Sequence, residues 1–262
     1  MTANGRVLAA HDLAVSYSPR RSGPLVLDGV SFDIRRGEKF VFLGPSGCGK
    51  STLLKTVAGF LRPVRGSLLL NDQPIKGPGP DRAVVFQEFD QLLPWRTVLG
   101  NVSYSLQVTG KARGTDAVKR ALDFIELVGL RQATHHFPHQ LSGGMKQRTA
   151  IARALSLEPD ILLMDEPFGS LDQLTRSRMQ EELETLWRKT GVTILFVTHS
   201  IQEAIVLGQR VMVLGQRPAR IVGTLDTSDI DGREHPGFGA VYAQLRDLLL
   251  AGHGDSQSAA IN

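Results

Sequence analysis

The sequence predicts an α/β fold: a mainly parallel sheet covered by helices, with a helical subdomain inserted into it. Three observations lead there. Apolar runs of strand length alternate with stretches of helical period, as in a parallel sheet crossed over by helices. A glycine-rich loop joins one short apolar run, Lys39–Leu43, directly to a helical stretch. Between about 98 and 157 the strand signals stop, and apolar residues recur at helical spacing, as at Ala121, Leu122, Ile125, Val128 and Leu130.

In chain order, Val7–Tyr17 reads as a strand, Ser18–Pro24 as a Ser/Pro/Arg/Gly loop and Val26–Ile34 as an alternating strand before the turn Arg35–Glu38. Lys39–Leu43 is a short apolar strand. A helix over 50–60 follows, with Leu53, Leu54, Val57 and Ala58 on one face. Ser67–Leu70 and Ala83–Gln87 are strand candidates around the Pro/Gly-rich stretch Pro74–Pro80. After the helical region, strands are expected at Asp160–Met164, Val192–Val197 and Arg210–Leu214, with helices at Leu174–Lys189 and Ile201–Leu207 between them. Val241–Leu250 reads as one amphipathic helix, and Ala251–Asn262 as a mobile tail.

Composition bounds the partners. In 262 residues, 42% hydrophobic and 21% charged, a sizeable core is available and wholesale disorder is not expected. The net charge of +4 is spread without a Lys/Arg block or basic stripe, so no nucleic-acid partner is expected. One cysteine, Cys48, cannot form an internal disulfide and fits a reducing compartment. Met1–Ala10 lacks the charged start and apolar run of a signal peptide, and no stretch offers the ~20 apolar residues of a membrane-spanning helix.

The loop Gly44-Pro45-Ser46-Gly47-Cys48-Gly49-Lys50-Ser51-Thr52 satisfies G-x-x-x-x-G-K-[ST]. Glycines let backbone N–H groups curl around a polyphosphate, and the following helix points its N-terminal donors at the same anion. Lys50 brings a full positive charge, and Ser51 a hydroxyl suited to Mg²⁺. The thiol of Cys48, at a helix N-terminus, is open to a lowered pKa, and its alkylation is expected to obstruct nucleotide. Ile161–Met164 then leads into Asp165 and Glu166, acids at the C-terminal edge of a buried strand, where such sheets bind ligands. Asp165 can hold Mg²⁺, and Glu166 can take a proton from attacking water. The cluster His135-His136-Phe137-Pro138-His139 reads as a loop rather than a metal site, since Pro138 breaks the spacing and no cysteine lies near.

Leu141-Ser142-Gly143-Gly144-Met145-Lys146-Gln147-Arg148, between these two sites, resembles the LSGGQ-type signature of ATP-binding cassette (ABC) proteins, with Met145 where the commonest form has Gln. Tyr17 matches that family's adenine-stacking aromatic. Gln87 matches the Q-loop glutamine, which touches Mg²⁺ and the water. Ser170-Leu171-Asp172 matches the D-loop and His199 the switch histidine. The resemblance covers about Val7–Val222. It implies a P-loop NTPase with a RecA-like core, an ABC β-subdomain and an inserted α-helical subdomain. The divisions are expected at 1–87, 88–157, 158–226 and a C-terminal extension at 227–262.

It further implies ATP and Mg²⁺ as cofactors and a head-to-tail homodimer. One chain would supply the cradle (Gly44 to Thr52); the other would supply Ser142, Gly143 and Gly144, with Asp172 at the nucleotide. Glu166, His199, Lys50 and Gln87 are the implied catalytic residues, and Ser51, Gln87 and Asp165 the metal ligands. Phe86-Gln87-Glu88 with Leu92-Leu93-Pro94-Trp95, and Gly215–Val222, are similar to the nitrate/sulfonate/taurine importer cassettes. That likeness implies transmembrane permease subunits, a substrate-binding protein and a peripheral place on the cytoplasmic side of a bacterial inner membrane. Phe89, Leu92, Leu93 and Trp95 are candidates for the permease contact. A cassette ATPase acting on nucleic acid or ribosomes is the alternative; such chains usually carry paired cassettes or a long coiled-coil insertion, which this sequence lacks.

Overall fold

The computed structural model describes residues 5–18, 23–87, 91–169 and 171–254, with residues 253 and 254 described by backbone alone. They form two compact units, Met1–Pro78 with Thr193–Asn262, and Gly79–Val192. No helix among the described residues is long and apolar enough to cross a membrane.

The first unit holds two sheets. One is antiparallel, in the order β2 (Leu25–Arg35), β1 (Arg6–Ser16), β4 (Arg65–Leu70), β5 (Gln73–Pro74). In the other, β3 (Lys39–Leu43) runs parallel between β8 (Thr193–Thr198) and β9 (Arg210–Leu214), and β10 (Ile221–Asp226) pairs antiparallel to β9. Strands covered on both faces read as unbroken apolar runs, and β3 and β8 are buried at every position. Phe32 of β2 meets Phe42 edge-on at 4.9 Å, and Phe40 meets Phe42 at 5.2 Å, an apolar wedge behind the central strand. At its start, Arg210 lies over the Phe40 ring at 4.9 Å and pairs with Glu38 at 2.8 Å.

Helix α1 (Lys50–Val57) buries Leu53, Leu54 and Val57 and packs on β8 and β2. It stops short of the expected Phe60 because Gly59 takes φ +85° and a Cβ there would lie 2.4 Å from the Gly77 backbone. Ser200 caps α6 (Ile201–Leu207), which packs on β3 and β8. Helix α7 (Phe238–Gly254) packs on α6, β9 and β10 around the buried Leu245. It runs through Ala251–Gly254, which the sequence assigned to the tail.

The second unit pairs β6 (Arg82–Val85) parallel to β7 (Ile161–Asp165). Around this pair are α2 (Val98–Val108), α3 (Gly114–Leu127), α4 (Gly143–Leu155) and α5 (Gln173–Thr190). Helix α3 turns Ala117, Ala121 and Ile125 inward, four residues apart on one face. Leu122, expected with them, is off that stripe and exposed. Asn101 is fully buried on α2. Its side chain accepts from Leu93 N at 2.8 Å and donates to the carbonyls of Leu93, Arg96 and Thr97, fixing the turn that carries Trp95. The stretch Pro138–Gln140 is a short 3-10 turn.

Candidate functional site

The glycine-rich loop is ordered by its own atoms. Lys50 is buried, and its Nζ donates to the carbonyls of Gly44 and Pro45, both at 2.9 Å. These bonds hold the ammonium inside the loop it closes. At Gly49, φ is +122°, and a Cβ would come within 3.0 Å of Val26 and Leu27, so only glycine fits between the turn and β2. A Cβ on Gly44 would meet Cys48 Sγ at 2.9 Å and the Leu214 carbonyl at 3.0 Å, which seats the loop on the end of β9. Ser46, Gly47 and Ser51 face outward, and Thr52 is buried. Tyr17 is 56% exposed, its hydroxyl 2.8 Å from Thr52 Oγ1, so a free aromatic face stands beside the loop.

Cys48 departs from the sequence reading. Its thiol is buried, and burial pushes its pKa up, outweighing the opposing field of Lys50. It lends the cradle its backbone rather than a reactive sulfur, so rapid alkylation is not expected.

His199 is exposed on the two-residue turn from β8 to α6. Thr198 donates to Glu203 at 2.7 Å, Ser200 N donates to Thr198 Oγ1 at 3.1 Å, and Ser200 Oγ accepts from Glu203 N at 3.3 Å. Glu203 therefore braces the turn that carries His199, a contact that sequence reasoning missed. Its signal was present: Ser200 and Glu203 have capping-box spacing.

In the second unit, Asp165 ends β7 buried, and Glu166 follows half-buried with φ +43°. A left-handed glutamate before Pro167 is uncommon backbone, costing on the order of 1 kcal/mol. Gln87 is drawn to the same turn: a Cβ on Gly169 would meet Gln87 Nε2 at 2.9 Å and the Glu166 carbonyl at 3.5 Å. Ser142 caps α4 by accepting from Met145 N at 3.3 Å, and Asp172 caps α5 by accepting from Thr175 N at 3.0 Å. Bonds from Thr175 hold the Asp172 carboxyl below the usual aspartate range. The two helix starts meet, since a Cβ on Gly144 would lie 3.5 Å from Thr175 Cγ2 and 3.7 Å from Met179 Sδ. Ser142 and Asp172 are exposed, Gly143 is half-buried and Gly144 buried. Ser170 and Phe89 lie outside the described residues. Of the other loop candidates, Leu92 is buried and Trp95 is 70% exposed. No group of three or more metal-capable His, Cys, Asp or Glu side chains occurs among the described residues.

A parallel strand running into a glycine-rich turn, a lysine closing that turn and a helix behind it define a P-loop nucleotide-binding protein. The family model described as ABC transporter matches residues 27–169. The taurine import ATP-binding protein TauB of Rhizobium johnstonii is 52% identical over 233 residues, covering 85% of this chain and 88% of the relative. The nitrate import ATP-binding protein NrtD of Synechococcus elongatus is 44% identical over 237 residues, covering 88% and 86%. Among solved structures, cbiO1 from Clostridium perfringens, part of the ABC transporter complex cbiONQ, has a TM-score of 0.78 at 28% identity, over 95% of this chain and 99% of that one. A dimeric ATP-binding cassette in a post-hydrolysis state bound to ADP and Pi has a TM-score of 0.71 at 30% identity, over 84% and 98%. The chain belongs to the ABC transporter family, and it is one of that family's ATP-binding, ATP-hydrolysing subunits.

Proposed function

We propose that this chain powers an importer: a homodimer that clasps ATP, bound to transmembrane permease subunits and served through them by a substrate-binding protein. It would sit peripherally on the cytoplasmic side of a bacterial inner membrane. The observation that carries the catalytic half is the cradle itself, with Lys50 buried and held by the carbonyls of Gly44 and Pro45.

In this reading Lys50 and the loop N–H groups hold the phosphates, and Tyr17 stacks on adenine. Ser51, Gln87 and Asp165 offer the oxygen donors a hard cation requires, so they fit Mg²⁺, which when bound offsets phosphate charge. Glu166 takes the proton of the attacking water, its carboxylate set by the left-handed turn. His199, carried on the Glu203-braced turn, meets the γ-phosphate. Ser142, Gly143 and Gly144, with Asp172, face the nucleotide of the opposite protomer. The divisions at 87, 157 and 226 remain part of the proposal. Similarity to TauB and NrtD supports a small anionic or polar cargo such as a sulfonate, taurine or nitrate. It also favours transport over action on nucleic acid or ribosomes.

The reading is tested by ATP turnover in Glu166→Gln. With the general base gone, hydrolysis should fall by about 10²–10⁴ while ATP still binds; undiminished turnover removes Glu166 from that role. Cargo is read from ligand binding to the cognate capture protein.

A further inference from the structure

Between β9 and β10 the chain crosses beside the cradle in a short loop, Gly215–Arg220, held at several points. Leu214, just before it, backs Gly44. Gly215 N donates to the Arg220 carbonyl at 3.0 Å, and Gln216 N donates to the Gly252 carbonyl of α7 at 3.3 Å. At the far end, Ala219 N donates to the Val26 carbonyl at 2.8 Å and Asp28 N to the Ala219 carbonyl at 3.0 Å. Val26 and Leu27 are the residues that close over Gly49. The loop is thus pinned to both walls of the phosphate turn, and the C-terminal helix is one of its anchors.

Two arginines stand on this loop, and they differ. Arg220 is accounted for structurally: its guanidinium pairs with Asp28 at 2.6 Å, and Arg65 meets the same carboxylate at 2.9 Å. Arg217 is exposed and, among the described residues, has neither a hydrogen bond nor an ion pair. Its field nevertheless reaches into the cradle, where it favours the charged form of the Cys48 thiol. The loop backbone is held beside the glycine-rich turn, and it carries a guanidinium that no neighbouring group among the described residues engages. Unlike Lys50, which is committed to loop carbonyls, it is free to turn its planar fork on a phosphate.

We propose that Arg217 is a further nucleotide-binding residue of this cassette, pairing with the phosphates of the nucleotide held by the cradle. The proposal rests on the reading of Gly44–Thr52 as the nucleotide site. It assigns the 215–220 loop, and the α7 end that anchors it, to presenting that cation.

The test is ADP binding to the full chain, measured by calorimetry for wild type, Arg217→Gln, Arg217→Lys and Lys50→Ala, with apo unfolding midpoints alongside. An exposed cation–phosphate pair predicts about a fivefold loss of ADP affinity in Arg217→Gln at low salt. The loss should shrink as salt rises, recover in Arg217→Lys, and leave the apo midpoint unmoved. ADP affinity unchanged in Arg217→Gln, while Lys50→Ala loses it, overturns this inference alone. Affinity unchanged in Lys50→Ala as well overturns the cradle reading beneath it. A loss that ignores salt, or that comes with a lowered apo midpoint, assigns Arg217 to base stacking or to the fold and refutes the phosphate contact.

Discussion

The cradle and the signature turn both place helix N-terminal donors where an anion could sit, yet they are finished differently. The cradle's turn is braced within its own unit: Lys50 is buried and donates hydrogen bonds to two loop carbonyls, Gly49 is locked on β2, and Gly44 is backed by β9. The signature turn is a bare helix start. Its serine is exposed and accepts the capping bond from Met145 N, and the glycine behind it rests on α5. In the proposed reading, each protomer therefore carries one internally braced phosphate cradle and one exposed helix start that would serve a partner's nucleotide. That asymmetry is what a head-to-tail pair requires.

The comparison breaks most visibly at Lys50. Lys50→Ala should reduce nucleotide affinity of the single chain by about 100-fold, since it removes a buried cation from an anion site; calorimetry with ADP checks this. Ser142→Arg should instead abolish ATP-driven pairing and turnover while ADP still binds. If both variants fail alike in ADP binding, the two sites are not separable as described.

Asn101 sharpens the contrast between braced and open surfaces. Asn101→Ala leaves backbone groups of the 93–97 turn without partners, at a cost of about 1–3 kcal/mol read as a lowered unfolding midpoint. Trp95→Asp, on the exposed side of that turn, should hold stability within about 0.5 kcal/mol of wild type and reduce co-purification with the permease. Normal complex formation would take Trp95 out of the contact.

The smallest effect is in pH. Hydrogen bonds hold Asp172, and arginines hold Asp28, below the ordinary aspartate pKa. A lowered native pKa contributes stability that is full above the unfolded value, near 4, and is lost as pH falls through the lower native value. Asp28→Asn should flatten that acid limb of the unfolding profile slightly, and an unchanged limb would show that the carboxylate's arginine partners add nothing there.

Much of the fold was legible because burial on both faces leaves no room for ambiguity. Lys39–Leu43, Ile161–Asp165 and Thr193–Thr198 are buried at every position and read as apolar runs. Strand β5 was missed because two residues including Pro74 give no period. Strand β10 was missed because it is half-exposed and Gly223 interrupts it, a glycine whose reason is tertiary: a Cβ there would meet Leu248 of α7 at 2.8 Å. The cradle and the carboxylates could be named because phosphate chemistry fixes their residue types and local spacing. Asn101, Glu203 and Arg217 act through groups that the fold, rather than spacing alone, brings near them, and the inward turn of the Cys48 thiol is likewise set by packing against Gly44.

Two chains are proposed to close on ATP and to part after its cleavage. Light scattering of Glu166→Gln tests it most directly, because that variant should bind ATP without consuming it. Its expected mass is that of a dimer in ATP with magnesium and of a monomer in ADP. A monomer in saturating ATP, with the nucleotide shown to be bound, would contradict it.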